Sequence, residues 1–176
     1  QRVLINSRNC GELPLSNSDA CRLLVVNLAK FVIDPFTERA DFDWIRFQTV
    51  VRQSQRLMDD LVDIELEQVD KILARIARDP EDDGVKGVER DTGENIRDAV
   101  SQGRRTGLGP TAVGDTVAML GHKYGDAGSQ DVVEKIYRAL AVASYGSSVD
   151  MAAERGCFPV YSFVKEQDHP FIERVL

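Results

Sequence analysis

Residues 44–76 read WIRFQTVVRQSQRLMDDLVDIELEQVDKILARI, and this stretch decides the fold class. Trp44, Phe47, Val50, Val51, Leu57, Met58, Leu61, Ile64, Val69, Ile72, Leu73 and Ile76 recur mostly at three- and four-residue steps. That period puts a wide apolar stripe on one side of an α-helix. Asp41-Phe42-Asp43 offers an acidic start, and Asp79-Pro80 ends the pattern because the residue before a proline is pushed out of helical conformation. The run is long for one globular helix, so the spacing predicts a kink or break between Asp63 and Gln68. Trp44 and Phe47 lie in the stripe and are expected in the core.

Working outward, residues 1–33 read as extended structure and loops. Arg22-Leu23-Leu24-Val25-Val26-Asn27-Leu28 has strand length and composition, and Asp34-Pro35 closes it. Residues 79–93 are charged and glycine-containing, and read as a solvated excursion. Residues 94–102 fit a short helix, and Arg104 to Pro110 a turn-rich joint. Thr111 to Leu120 and Ser129 to Arg155 carry helical patterns, with Ala143 small enough for close packing. Gly156-Cys157-Phe158-Pro159 stops the last helix, and Cys157 reads as a packing residue. Helices outnumber strands, while the unusual chemistry sits in the extended part; this is an α/β arrangement.

The chain has 176 residues and a formal net charge of -7, with 43% hydrophobic residues. That excess of acid argues against general adhesion to a nucleic-acid polymer, which needs concentrated Lys and Arg. No stretch of 18 apolar residues and no signal-peptide pattern is present, so no membrane role and a cytoplasmic location are expected. Three cysteines make no disulfide framework, and no Cys/His spacing suits a structural metal. Both ends, Gln1 without a methionine and the apolar Phe171 to Leu176, read as cut from a longer chain.

The chemistry concentrates at Asn9-Cys10-Gly11-Glu12, followed by Cys21. In an extended segment a thiol and a carboxylate two residues apart share a face, about 6.6 Å from one another. Cys10 is either a small buried residue or a reactive thiol. A neighbouring carboxylate raises a thiol pKa, so the pair disfavours a thiolate nucleophile and suits a thiol that stays protonated and loses a hydrogen atom. Glu12 is either a surface acid or a general base. Pro14, Asn17, Ser18 and Asp19 permit a turn that returns Cys21 toward Cys10, which opens a disulfide or thiol-reductant role. Arg104 and Arg105, before Thr106-Gly107-Leu108-Gly109, are phosphate-binding or surface salt-bridge arginines. Neither His122 nor His169 is tied to Cys10 by spacing.

The ordered motifs resemble the large catalytic chain of ribonucleotide reductases, with the nearest likeness to the adenosylcobalamin-dependent class. They are Asn9 to Leu15, Asp19 to Leu24 with Asn27-Leu28, Arg56 to Asp63, Arg104 to Gly109 and Ala153 to Pro159. The resemblance covers almost the whole chain. It implies a helix-rich fragment of a ten-stranded α/β barrel, with residues 1–33 as finger-loop and strand region and residues 41–176 as a mainly helical barrel segment. In this likeness Cys10 falls on the cysteine that becomes a thiyl radical and takes the 3′ hydrogen of a ribonucleotide. Glu12 falls on the base that deprotonates the 3′ hydroxyl. Cys21 falls on one member of the reducing cysteine pair. Adenosylcobalamin in the complete enzyme, an external or C-terminal dithiol reductant and complementary reductase segments are the implied cofactor and partners.

The family places an asparagine two residues before the radical cysteine. Here Arg8 stands there, with Asn9 and Asn6 as the neighbouring candidates for substrate contact. An arginine is a permanent charge able to pair with Glu12. The partner of Cys21 and the phosphate-binding loop of the family fall outside this chain. Two other readings therefore stand beside a reductase segment: an inert structural or interaction fragment, and an unrelated cysteine-dependent enzyme that needs a histidine near Cys10.

Overall fold

The computed structural model describes residues 6–7 and 14–175. The chain divides into two compact units. Of the described residues, unit 1 takes 6–7, 14–22, 58–106 and 157–161, and unit 2 takes 23–57, 107–156 and 162–175.

Unit 2 is built on aromatic packing. Strands β4 (Val32–Ile33) and β5 (Asp41–Phe42) pair antiparallel, with Val32 opposite Phe42. They lead into helix α1 (Trp44–Ile76). Asp43 starts α1 by accepting a hydrogen bond from the Arg46 backbone N–H at 3.0 Å. Phe42, just before that cap, packs on Phe47 with ring centroids 5.3 Å apart, the hydrophobic staple that fixes a chain's entry into a helix. Phe31, at the end of a 3₁₀ turn (Leu28–Phe31), meets Phe47 edge-on, also at 5.3 Å. Val51 of α1 and Ile136, Leu140 and Ala143 of a second long helix complete the cluster, so the small residue at 143 does admit close packing. Phe47 is fully buried and Trp44 packs at the margin of the cluster, as the apolar stripe implies.

That second helix, Ala127–Arg155, starts on Asp126, whose carboxylate accepts from Ser129 N–H at 2.7 Å. It ends at Gly156, which has a positive φ of 85°. Ser147 Oγ donates to the Arg52 carbonyl at 2.9 Å, and Ser144 Oγ donates to Gln55. At Gly146 a Cβ would stand 2.9 Å from Arg52 Nη1, so a side chain there would displace the arginine tip. Strands β3 (Arg22–Asn27) and β6 (Thr106–Thr111) pair with each other.

Unit 1 is a pair of helices with a loop. The later part of α1 packs against α2 (Asp83–Gly103). Pairing of Leu73 with Gly93, Asp70 with Arg97 and Asp59 with Arg104 runs them antiparallel. Met58, Val62 and Val100 are fully buried, and Leu15 and Cys21 nearly so. Strands β1 (Asn6–Ser7) and β2 (Pro14–Leu15) pair antiparallel, Asn6 opposite Leu15.

Several expectations need correction. No ten-stranded barrel forms: the described residues hold six short strands in three separate two-stranded pairs. Ten strands of ordinary length would need about 50–60 residues in extended conformation, and here most of the chain is helix. Helix α1 runs unbroken through Asp63 to Gln68. Residues 83–103 are one helix, although the first half is exposed and charged. Asp82 caps it by accepting from Gly84 N–H at 2.8 Å. Gly93 admits the helix that would otherwise meet Leu73, because a Cβ there would sit 2.7 Å from Leu73 Cδ2. Of the glycines that read as loop signals, Gly84 is a helix-start position and Gly93 a close-approach position. Residues 106–111 form a strand rather than a joint. Among the described residues no helix is long and apolar enough to cross a membrane.

Candidate functional site

The described part of the motif region is the loop that ends at Cys21, in unit 1. It begins with a tight turn in which the Asp19 N–H donates to the Ser16 carbonyl at 3.3 Å. Ser18 adopts a left-handed φ of 61°, unusual for a residue with a side chain. The Asp19 carboxylate stabilises that geometry. It accepts from Ser16 Oγ at 3.2 Å and from the Ala20 N–H at 2.8 Å. Its side chain is 1% exposed, and Arg105 Nε donates to it at 2.5 Å.

Cys21 follows, 5% exposed, with Sγ 3.8 Å from the Arg22 carbonyl oxygen that it faces as a weak donor. Arg22 turns back on the loop. Its Nη1 donates to the Ala20 carbonyl at 2.9 Å, and its Nε donates to Glu65 of α1 at 2.6 Å. The Arg22 N–H donates to the Arg105 carbonyl at 3.3 Å. The cysteine is therefore flanked on both sides by charge-assisted bonds, which are stronger than neutral ones.

Arg104 closes α2 in left-handed conformation, φ 41° and ψ 46°, and this turn points the tandem arginines in different directions. Its guanidinium binds Asp59 Oδ1 at 2.8 Å, Asp63 Oδ1 at 2.7 Å and the Asp59 carbonyl at 3.0 Å. The Asp59 hydrogen bond, opposed by burial and reinforced by Asp63, raises the Arg104 pKa above its ordinary value. Asp59, Asp60 and Asp63 bring one carboxylate oxygen each within 4.8 Å of one another. Arg104 supplies positive charge to that group.

Of the residues singled out in the sequence, Arg8, Asn9, Cys10 and Glu12 lie outside the described residues. Asn6 is described as backbone of β1 only. Cys21 and Arg105 are brought together through Asp19. Arg104 and Arg105 both engage carboxylates. Cys157 is exposed, not packed: it follows the Gly156 helix stop directly and falls in irregular chain. The residues missed were Asp19, Asp59, Asp63 and Glu65. Asp59 and Asp63 are four apart on a helix and so share a face, which was a readable signal. The pairing of Asp19 with Arg105 spans 86 residues and left none.

The family model described as ribonucleotide reductase, barrel domain, matches residues 3–171. The chain belongs to that ribonucleotide reductase family. Among curated relatives, a vitamin B12-dependent ribonucleoside-diphosphate reductase of Thermoplasma acidophilum is 30% identical over 158 residues, 89% of this chain and 17% of the relative. A protein of the same description from Mycobacterium tuberculosis is 26% identical over 153 residues, 87% of this chain and 18% of the relative. The chain thus spans less than a fifth of the length of these reductases.

The B12 group in those relatives' names can be tested against the described residues. A depression of about 310 Å³ in unit 2 is lined by Trp44, Gln48, Lys135, Arg138, Ala139 and Val142. Another, of about 490 Å³ in unit 1, is lined by Lys71, Ala74, Arg75, Arg78, Asp79 and Pro80. Both are open to solvent, whereas a bound organic cofactor has most of its surface buried. Neither fits a corrinoid.

Proposed function

We propose that this chain supplies the radical and reducing segment of a cobalamin-dependent ribonucleotide reductase and works as part of a larger or complemented enzyme. The observation that carries the reading is the reductase family match across residues 3–171, which takes in the Cys10-Gly11-Glu12 motif and Cys21 together. The B12-dependent relatives favour cobalamin as the radical source of the complete enzyme. Neither of the two depressions described above fits it, and the roles below concern this chain's own side chains.

Cys10, once oxidised by one electron and deprotonated to a thiyl radical, takes the 3′ hydrogen atom of the ribonucleotide and becomes a thiol. Glu12 accepts the 3′ hydroxyl proton. The 2′ hydroxyl leaves as water after gaining a proton from the reducing pair. Cys21 and a second cysteine outside this chain give two electrons and their remaining proton to the 2′ carbon, forming its new carbon–hydrogen bond, and end as a disulfide, while Glu12 returns its proton to the 3′ oxygen. The hydrogen atom then returns from Cys10 to the 3′ carbon, which restores the thiyl radical. Per turnover, one dithiol is oxidised, one 2′ hydroxyl is lost as water and one deoxyribonucleotide forms. A protonated thiol beside a carboxylate suits hydrogen-atom transfer, because the neighbouring charge discourages the thiolate.

The test is nucleotide reduction by the complete polypeptide with cobalamin cofactor and a dithiol. Cys10→Ser and Glu12→Gln should each abolish or nearly abolish deoxyribonucleotide formation. Parent-level product from Cys10→Ser would sink the reading. The inert-fragment alternative is favoured by one feature, Arg8 in the asparagine position. Arg8→Asn should then convert an inactive reductase into an active one.

A further inference from the structure

We propose that Asp19 and Arg105 form a positioning pair for Cys21, holding the turn that presents its thiol. The proposal rests on the reading of Cys21 as a redox cysteine, and the pair itself is tested independently of that reading. The Asp19 carboxylate is 1% exposed and uses both oxygens: Oδ1 accepts from the Ala20 N–H at 2.8 Å, and Oδ2 accepts from Ser16 Oγ and Arg105 Nε. Arg105 grips the same loop a second time, because its carbonyl accepts the Arg22 N–H at 3.3 Å. Cys21 lies between these two anchor points.

The chemistry explains why such an arrangement is useful. A disulfide forms only when the two Cα atoms approach to about 4.4–6.8 Å with suitable side-chain directions. A turn with Ser18 in left-handed conformation has no strong local preference for one shape, and needs external bonds to keep it. Asp19 and Arg105 supply those bonds. The pair is also asymmetric. Arg105 is 38% exposed and can turn to water if Asp19 is lost. Asp19 has no such escape, and loss of Arg105 leaves a buried carboxylate without its counter-charge.

Site-resolved alkylation of the intact polypeptide with iodoacetamide tests the pair, with exposed Cys157 as internal reference. In the parent, Cys21 should react much more slowly than Cys157. Arg105→Met should raise the Cys21 to Cys157 rate ratio about tenfold, as expected when local opening exposes a buried group. Asp19→Asn should raise it less, Arg105→Lys should restore part of the protection, and the double variant Asp19→Asn with Arg105→Met should fall below Arg105→Met alone. An unchanged ratio in both single variants overturns the proposal. If circular dichroism shows Arg105→Met to be unfolded, the near-isosteric Asp19→Asn decides alone: a raised ratio supports the pair and an unchanged one rejects it. In the complete reductase the same variants should lower kcat while leaving KM for the nucleotide unchanged. If Cys21→Ser leaves turnover intact, the redox reading of Cys21 fails while the alkylation result still judges the pair.

Discussion

The Phe47 cluster and the Cys21 loop are held by different forces. Phe31, Phe42 and Phe47 pack with ring centroids 5.3–6.0 Å apart, Trp44 packs on Phe42 at 4.7 Å, and together they bury apolar surface. Around Cys21, the anchors are carboxylates and guanidinium groups: Asp19 with Arg105, Glu65 with Arg22, and Asp59 and Asp63 with Arg104. The hydrophobic burial that drives the first is non-directional and tolerant of salt. Charge-assisted bonds are directional, fixing where an atom sits more than how tightly a domain is packed. The difference teaches where each kind of force is useful: packing where a scaffold must persist, directed bonds where a loop must keep one conformation.

The comparison breaks most readily at Phe47. Phe47→Ala should cost about 3–5 kcal/mol, the range for emptying a buried aromatic site. Trp44 is the single tryptophan and packs on Phe42, so denaturant unfolding followed by its fluorescence reports on this cluster. A shift under 1 kcal/mol would show that the cluster is not the stabilising core. Arg104→Met should have the next largest effect, about 1–3 kcal/mol, because it removes the hydrogen bonds that the guanidinium gives to Asp59 and Asp63. Hydrogen exchange should quicken at residues 59–66 and 98–105, with the Trp44 transition moved less than by Phe47→Ala. The reverse ranking would erase the distinction between the two regions.

Smaller changes sharpen it. Gly87 lies in α2 with nothing within 4 Å of a Cβ placed there. Gly87→Ala should stabilise α2 by about 0.5–1 kcal/mol through lower unfolded-state entropy. Gly93→Ala should gain less, because its Cβ must push Leu73 aside, and Leu73→Ala should restore the gain. Equal gains at both positions would mean that the helices do not approach closely there. The smallest effect belongs to Asp126, whose pKa is lowered first by the Ser129 N–H bond. A carboxyl with a depressed folded-state pKa stabilises above its unfolded value of 3.8 and loses that contribution as pH falls through the folded value. Asp126→Asn keeps a helix cap but should flatten the stability profile in that acid window, read by thermal unfolding between pH 5 and pH 2.

Much of the scaffold was legible. The three- and four-residue spacing from Trp44 to Ile76 specified α1, and the Val132 to Met151 pattern specified the second long helix. The Arg22 to Leu28 run specified a strand. Local rules failed where tertiary contact decides. Gly93 reads as a breaker until Leu73 is seen opposite it, and Gly107, Gly109 and Pro110 read as a turn until the Arg22–Asn27 strand pairs with them. Barrel closure was implied by likeness alone and is not found among the described residues. At the candidate site the motif singled out Cys21, whose redox role is a proposal. The pairs that anchor its loop, Arg22 with Glu65 and Asp19 with Arg105, join residues 43 and 86 positions apart, which periodicity cannot connect.

The most direct measurement of the functional claim is a single turnover by the complete reductase without added reductant, followed by thiol mapping. The account predicts deoxyribonucleotide in proportion to enzyme, Cys21 recovered in a disulfide, and no product from Cys10→Ser. Product formed while Cys21 remains fully alkylatable, or formed equally by Cys10→Ser, would contradict it.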